Sequence, residues 1–312
     1  MMNLMTKEKP YNTLTAYYQY KYNSKVAKIA LNGNFTCPNR DGFKGYGGCT
    51  FCSNLGSGDL AGDKNKTITE QFNDIKKIME NKWPNIKYIP YFQANSSTYK
   101  PLDELKKLYE EAIKAAGDKI AGLDIATRAD SITSDVLEYL GELNKKIPIT
   151  VELGLQTSNE ETSIKINRCL TNQEFIDCVK KLREKNIEIV VYIINGLPNE
   201  NMNDYLNTIN FINKLDIQGI KFHSLLILKN TQIEKDYYDN KIKILSLDEY
   251  VDIVVNQITH LRKDIIIHRL AADGVIDDLI EPKWTIKKMV VMNEIDKKLR
   301  KENLYQGIYY EK

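Results

Sequence analysis

The chain has 312 residues, a length that allows either two small domains or one large α/β domain with an appendage. Its 44 Lys and Arg residues against 42 Asp and Glu residues give a formal net charge of +2, and 42% of its residues are hydrophobic. This composition excludes disordered, collagen-like and coiled-coil proteins. No run approaches the about 18 apolar residues of a membrane span, and the first twelve residues carry Lys7, Lys9 and no apolar signal segment. We therefore expect a soluble cytoplasmic protein whose cysteines are thiols or metal ligands.

Strand-like segments alternate with segments of helical periodicity through residues 1–232. The predicted strands are 25–32, 86–93, 120–127, 149–155, 187–195 and 220–228. The predicted helices between them are 67–81, 102–116, 134–144, 172–185 and 202–214. This alternation favours an α/β fold with a parallel sheet covered by helices, which can curl into a barrel or stay open.

Residues 233–312 have a different pattern, with helices predicted at 247–261 and 283–301 and a short strand at 264–268. No linker precedes this part, so we expect a mostly helical extension packed on the core formed by residues 1–232. The extension carries a basic stretch with Trp284 available for stacking, which could follow nucleic-acid phosphates. Interleaved acidic residues fit an ordinary solvated helix equally well. The basic residues are Lys283, Lys287, Lys288, Lys297, Lys298, Arg300 and Lys301.

The cysteines fall into a group of three and a separate pair. Cys37, Cys49 and Cys52 form a C-x11-C-x2-C arrangement in a Gly-rich loop directly after the first predicted strand. Cys169 and Cys178 lie among apolar residues, and we expect both to be buried thiols on a helix.

Three thiolates in one loop are typical of a metal centre. A structural zinc site needs a fourth ligand, which no Cys or His within the usual spacing provides. A [4Fe–4S] cluster can use three cysteines and leave one iron open to a small molecule. The spacing favours the cluster over zinc and over the absence of a metal. The position of the loop after the first strand of an α/β unit, where such folds place their chemistry, adds to that preference.

The loop and several later segments resemble the radical S-adenosylmethionine superfamily. More narrowly, they resemble its YhcC/YtqA-type subgroup, relatives of the catalytic subunit of elongator that lack the acetyltransferase domain. The superfamily's usual spacing is C-x3-C-x2-C, and the longer first spacer is that of the elongator-like branch. The resembling segments are 91–99, 125–130, 151–157, 193–198, 267–274, 284–288 and 305–307.

The resemblance implies a partial (β/α)6 barrel with a C-terminal, mostly helical extension. Cys37, Cys49 and Cys52 would bind three irons of a [4Fe–4S] cluster, and the fourth iron would bind the amino and carboxylate groups of S-adenosylmethionine. One electron from a reducing partner such as flavodoxin or ferredoxin would cleave this cofactor into methionine and a 5′-deoxyadenosyl radical, which abstracts hydrogen from the substrate.

The resemblance also implies cofactor contacts at the ends of the strands. Arg168 would face the cofactor carboxylate, the alternative being a charge on the surface of a helix. Glu152 would reach a ribose hydroxyl or form an ion pair inside the barrel. The predicted cofactor-binding residues are Gln93, Ala94, Asn95, Ser96, Glu152, Gln156, Arg168 and Asn195.

For the substrate, the resemblance implies the wobble uridine of tRNA, with 5-carboxymethylaminomethyl-2-thiouridine converted toward the aminomethyl and methylaminomethyl forms. Two alternatives stay open: a radical enzyme acting on a small metabolite or a protein, and a non-catalytic iron–sulfur or zinc protein. The extension contains no cysteine, which argues against a methylthiotransferase-like enzyme with a second cluster.

Overall fold

Seven parallel strands form one half-barrel sheet in the order β1-β2-β3-β4-β5-β6-β8, and β7 and β9 form a separate antiparallel pair. The computed structural model describes residues 3–53, 56, 58, 61–272 and 276–311. The strands are β1 (Val26–Leu31), β2 (Lys87–Phe92), β3 (Leu123–Thr127), β4 (Ile149–Gln156), β5 (Glu188–Asn195), β6 (Gly219–Ser224), β7 (Ile227–Leu228), β8 (Ile266–Arg269) and β9 (Leu279–Glu281). The α/β barrel with a C-terminal helical extension is therefore confirmed.

Most of the ten helices in the described part of the chain cover the outer face of the sheet. They are α1 (Leu14–Tyr22), α2 (Ile68–Lys82), α3 (Leu102–Ala116), α4 (Ser134–Asn144), α5 (Glu160–Lys165), α6 (Asn172–Glu184), α7 (Met202–Asn213), α8 (Gln232–Tyr238), α9 (Leu247–His260) and α10 (Lys288–Lys301). Several begin with a reciprocal capping box, in which the cap side chain and the third helical residue satisfy each other's backbone amides, as Thr67 and Glu70 do in α2. No helix among the described residues is long and apolar enough to cross a membrane.

The two faces of the sheet differ because successive side chains of a strand point to opposite sides. On β1, Ile29 and Leu31 belong to the apolar core, whereas Lys28 lines an internal cavity. On β6, Phe222 packs into the core and Lys221 faces the cavity. Apolar residues therefore hold the helices on the outside, and polar residues are left for the interior of the barrel.

The sheet has one strand more than the six expected. β8, in the C-terminal extension, pairs in parallel with β6, so the extension contributes to the same sheet. The predicted sixth strand is divided into β6 and β7, and the predicted last helix begins at Lys288 after a 3-10 turn at Lys283–Lys287. The division between residues 1–232 and 233–312 stays a prediction, and β8 is a strand that the second part adds to the sheet of the first.

A buried carboxylate joins strands that are not neighbours. Glu152 on β4 accepts hydrogen bonds from Lys28 on β1 at 2.8 Å, from Lys221 on β6 at 2.6 Å, and from the Tyr192 hydroxyl on β5. Asp124 on β3 pairs with Lys28 as well. Burial alone would raise the pKa of Glu152, but Lys221 and Lys28 hold it well below its usual range. Ion pairs thus cross the interior of the half-barrel.

Replacing this carboxylate should destabilise the fold. In Glu152→Gln, Lys221 loses its buried anion, and the free energy of unfolding should fall by about 3–5 kcal/mol, measured by urea denaturation. Glu142→Gln is the matched control, since Glu142 pairs with Lys145 on the surface and both side chains are mostly exposed. An equally small loss in both variants would contradict a structural role for the buried pairs.

Candidate metal centre and cofactor site

The loop with the three cysteines leaves the C-terminal end of β1 and is folded by its own backbone. The Cys37 carbonyl accepts from the Arg40 amide at 2.8 Å, and the Cys49 carbonyl accepts from the Cys52 amide at 3.0 Å. Gly48 has a φ of +82°, a conformation that side-chain-bearing residues rarely adopt. The Gly-rich spacer therefore returns the chain so that Cys49 and Cys52 come close to Cys37.

Neutral donors surround the thiols. The Asn39 amide donates to Cys49 Sγ at 3.6 Å, and the Ser96 hydroxyl donates to Cys37 Sγ at 3.7 Å. Burial, followed by the charges of Cys52 and Cys37, raises the pKa of Cys49 to about 12, against the opposing charge of Arg128. The three sulfurs thus lie near enough to influence one another, and a metal that replaces their protons would relieve that repulsion.

The arrangement fits a cluster better than a single ion. Among the described residues, no three Cys, His, Asp or Glu side chains come together closely enough to hold one metal ion. A four-iron cluster makes a different demand, because each of its three cysteine sulfurs binds a different iron. Cys37, Cys49 and Cys52, spread along one loop, are the residues that would hold it.

The segment after β2 is attached to the start of the cysteine loop. Ala94 and Asn95 have φ angles of +81° and +57°, so the backbone turns sharply where the strand ends. The Asn95 side chain donates to the Phe35 carbonyl at 2.9 Å, and the Ser96 amide donates to the Thr36 carbonyl at 3.1 Å. The predicted cofactor segment 93–96 and the predicted cluster loop are therefore adjacent, as a cofactor bound to the cluster requires.

Arg168 lies in the interior and not on the surface of a helix, so that alternative is wrong. Its side chain is 1% exposed, and Nη1 donates to the carbonyls of Leu155 at 2.6 Å and Thr157 at 2.8 Å. Nε and Nη2 are buried and have no hydrogen-bond partner among the described residues. Burial lowers the pKa of Arg168 to about 10. A buried guanidinium with two unpaired donors suits a carboxylate ligand, the group that the cofactor would offer.

Three other predicted cofactor residues already have protein partners. The Glu152 oxygens are held inside the barrel, which was the second of its two alternatives. Asn195 exchanges two amide hydrogen bonds of 2.8 Å with Gln257 on α9. Gln156, with a φ of +61°, ends β4 at a bulge and folds its side chain over Gly154. Their cofactor contacts stay predictions, and for Glu152 and Asn195 the side chain is engaged elsewhere.

The prediction for the second cysteine pair is half right. Cys178 is buried on α6. Cys169 is not on a helix: it lies half-buried in the loop between α5 and α6, where both it and Asn167 have a φ of +52° that ends helical geometry. A Cβ on Gly45 would lie 3.0 Å from Cys169 Sγ, so this thiol packs beneath the cysteine loop.

The sequence analysis did not identify Asn167 as important for this site. Its side chain donates to the Gly48 carbonyl at 2.8 Å, and its own carbonyl accepts from the Asn39 amide at 2.6 Å. These bonds fasten the cysteine loop to the segment that carries Arg168. Since Asn167 lies far from the loop along the chain, only its position beside Arg168 could have pointed to it.

An internal cavity of about 1000 Å³ extends from the cysteine loop into the barrel. Phe51 and Ser53 of the loop line one side of the cavity, and Gln93, which follows β2, lines another part of it. The sequence analysis also missed Lys28 and Lys221 in its wall, although charged residues within otherwise apolar strands are a signal for inward-facing polar positions. The other polar lining residues include Tyr91, His223, Ser224, His268, Arg269 and Lys288.

Models of known protein families match most of the chain, and they agree with the resemblance found in the sequence. The model of the radical SAM superfamily matches residues 37–212, and the model of the radical SAM C-terminal domain matches residues 217–301. The chain belongs to the radical SAM superfamily. Its cofactors are accordingly a [4Fe–4S] cluster and S-adenosylmethionine.

Individual relatives agree with this assignment. The chain is 42% identical to the uncharacterized protein YtqA of Bacillus subtilis over 305 residues, which cover 98% of this chain and 94% of YtqA. It is 30% identical to protein YhcC of Escherichia coli over 285 residues, covering 91% and 90%. A more distant relative is the tRNA-2-methylthio-N(6)-dimethylallyladenosine synthase of Fusobacterium nucleatum, 26% identical over 201 residues that cover 62% of this chain and 44% of the synthase.

Among solved structures, the fold resembles the archaeal Elp3 of Methanocaldococcus infernus lacking residues 1–46. The TM-score is 0.68 at 16% sequence identity, and the match covers 91% of this chain. This chain spans 64% of that protein's chain. The likeness shows a shared fold and extends over both the barrel and most of the C-terminal extension.

The cluster ligands can be tested by single substitutions. Cys37→Ala, Cys49→Ala and Cys52→Ala should each lose the brown colour and the iron of the anaerobically reconstituted protein, because the cluster would lack one of three anchoring thiolates. Cys178→Ala, a buried thiol on α6, is the control and should keep about four irons per chain. Full iron content in any of the three loop variants would overturn the assignment of that ligand.

Proposed function

We propose that this radical SAM enzyme modifies the wobble uridine of tRNA, converting 5-carboxymethylaminomethyl-2-thiouridine toward the aminomethyl and methylaminomethyl forms. The observation that carries the proposal is the cavity of about 1000 Å³ that opens beside the cysteine loop, with room for a nucleoside-sized group next to the cofactor. Similarity to a tRNA-modifying synthase supports a tRNA substrate over a small metabolite or a protein.

Particular residues would hold the two cofactors. Cys37, Cys49 and Cys52 would anchor the cluster, and the buried guanidinium of Arg168 would bind the cofactor carboxylate through its unpaired donors. When bound and reduced by one electron, the cofactor pair supplies a 5′-deoxyadenosyl radical for hydrogen abstraction. The barrel wall, which surrounds the cavity with buried side chains, would keep water and other C–H bonds away from it.

The electron would come from a flavodoxin or ferredoxin. The three cysteines are half-buried, so the cluster would lie near the protein surface. On the same loop, Phe43 and Tyr46 are exposed. Both features favour delivery of the electron by a separate protein that contacts this loop.

The C-terminal extension does not offer the stacking residue that was expected there. The Trp284 indole donates to the Leu245 carbonyl at 2.9 Å, and its ring packs on Tyr250 with the centroids 4.9 Å apart. The availability of Trp284 for nucleic-acid bases is therefore wrong, because tertiary packing uses its ring. On α10, Lys298 pairs with Asp252 and Glu302, as in a solvated helix. A tRNA contact would have to involve other residues near the cavity.

Analysis of tRNA from cells that lack the gene tests this substrate. The proposal predicts that 5-carboxymethylaminomethyl-2-thiouridine accumulates and that the aminomethyl forms disappear, as measured by mass spectrometry of digested tRNA. A plasmid with the wild-type gene should restore the profile, whereas Cys49→Ala should not. Unchanged wobble nucleosides in the deletion strain would refute the tRNA proposal and favour a small metabolite or a protein as substrate.

A further inference from the structure

The cavity beneath the cysteine loop has a one-sided charge. Of the described residues that line it, every charged one is a cation: Lys9, Lys28, Lys221, Arg269 and Lys288. The nearby carboxylates Asp124 and Glu152 pair with Lys28 and Lys221. An anionic group that entered this cavity would therefore meet no carboxylate in the described part of its wall.

Strand β6 presents three hydrogen-bonding side chains to this cavity. Lys221 and His223 lie two residues apart, so both point to the same face of the strand, and Ser224 follows where the strand ends. His223 Nε2 and Ser224 Oγ are buried and have no hydrogen-bond partner among the described residues. Unpaired buried polar atoms are uncommon in folded proteins and suggest a missing ligand or water.

Lys221 has donors to spare. Its ammonium group donates to Glu152 at 2.6 Å and lies 4.9 Å from the ring centroids of both Tyr91 and Tyr192. Glu152 is the one hydrogen-bond acceptor found for Lys221 in the described chain, and an ammonium group carries three protons. Lys221 can thus keep its structural ion pair and still donate to a ligand in the cavity.

The imidazole beside it is uncharged. Burial, followed by the charges of Arg269 and Lys221, holds the pKa of His223 well below its usual range. A neutral imidazole has one N–H donor and one acceptor, and its ring packs on Tyr192 with the centroids 5.4 Å apart. When Nε2 carries the proton, it can donate to an oxygen in the cavity without the cost of burying a second cation.

We propose that Lys221, His223 and Ser224 form an anion-binding wall that receives an anionic group of the substrate. A carboxylate fits donors of this kind, since its oxygens accept hydrogen bonds from an ammonium, an N–H and a hydroxyl. The identity of that carboxylate, as the end of a 5-carboxymethylaminomethyl group, rests on the proposed function. A phosphate would offer the same kind of oxygen acceptors.

Binding without turnover distinguishes these sources. Isothermal titration of the cluster-loaded protein would use three probes: 5-carboxymethylaminomethyluridine, 5-aminomethyluridine, which lacks the carboxylate, and inorganic phosphate. The wild type should bind the first nucleoside about tenfold more tightly than the second, as one charge-assisted hydrogen bond would give. If phosphate binds more tightly than either nucleoside, and if this binding requires Lys221, the wall would be assigned to a phosphate group of the substrate.

Variants of the wall complete the test. Ser224→Ala and His223→Asn should each reduce the preference for the carboxylate-bearing nucleoside, and Lys221→Met should abolish it. Lys297→Met, an exposed lysine on α10, should leave the preference unchanged. Circular dichroism and cluster absorbance show whether Lys221→Met folds. If it does not fold, the nucleoside preferences of Ser224→Ala and His223→Asn decide whether the wall binds the carboxylate.

The outcomes separate the wall from the proposed function. Phosphate binding that depends on Lys221, without any binding of the nucleosides, would support the wall and contradict the tRNA nucleoside as its ligand. Equal binding of both nucleosides in the wild type and the variants would overturn the wall and leave the tRNA proposal standing. Absence of binding by every probe would overturn the wall.

Discussion

Glu152 is a carboxylate buried inside an open sheet, and it is stable there only because cations reach it from distant strands. Lys28 on β1 and Lys221 on β6 provide them, although neither strand is a neighbour of β4 in the sheet. Removing either charge from such a pair leaves the other uncompensated in a medium of low polarity. The ion pairs therefore set how the two halves of the sheet face each other across the cavity.

This constraint also shapes the site. The paired carboxylates Asp124 and Glu152 do not line the cavity, whereas its polar lining residues are cations, neutral imidazoles, hydroxyls and the Gln93 amide. At the C-terminal ends of the strands, Asn167 fastens the cysteine loop to the segment that carries Arg168. The three cysteines predicted to be metal ligands, the buried guanidinium and the cationic cavity thus meet at one end of the barrel, where α/β folds place their chemistry.

Local signals in the sequence were sufficient for the strands of the main sheet, for most of the long helices and for the three-cysteine loop, but not for the short elements α1, α5, α8 and β9. β-branched runs, capping residues such as Thr67 and the Gly-rich C-x11-C-x2-C spacing all act over a few residues. The partners of Glu152 could not be predicted because Lys28 and Lys221 meet it only after the sheet curves. The packing of the Trp284 ring on Tyr250 depends likewise on α9, a separate helix.

Every functional proposal made for this chain requires that Cys37, Cys49 and Cys52 hold a cluster whose remaining iron binds S-adenosylmethionine. Electron paramagnetic resonance spectra of the dithionite-reduced protein should be compared before and after addition of S-adenosylmethionine. We expect the signal of a reduced [4Fe–4S] cluster that changes in shape when the cofactor is added. A cluster signal that the cofactor leaves unaltered, or no cluster signal from the reconstituted protein, would contradict it.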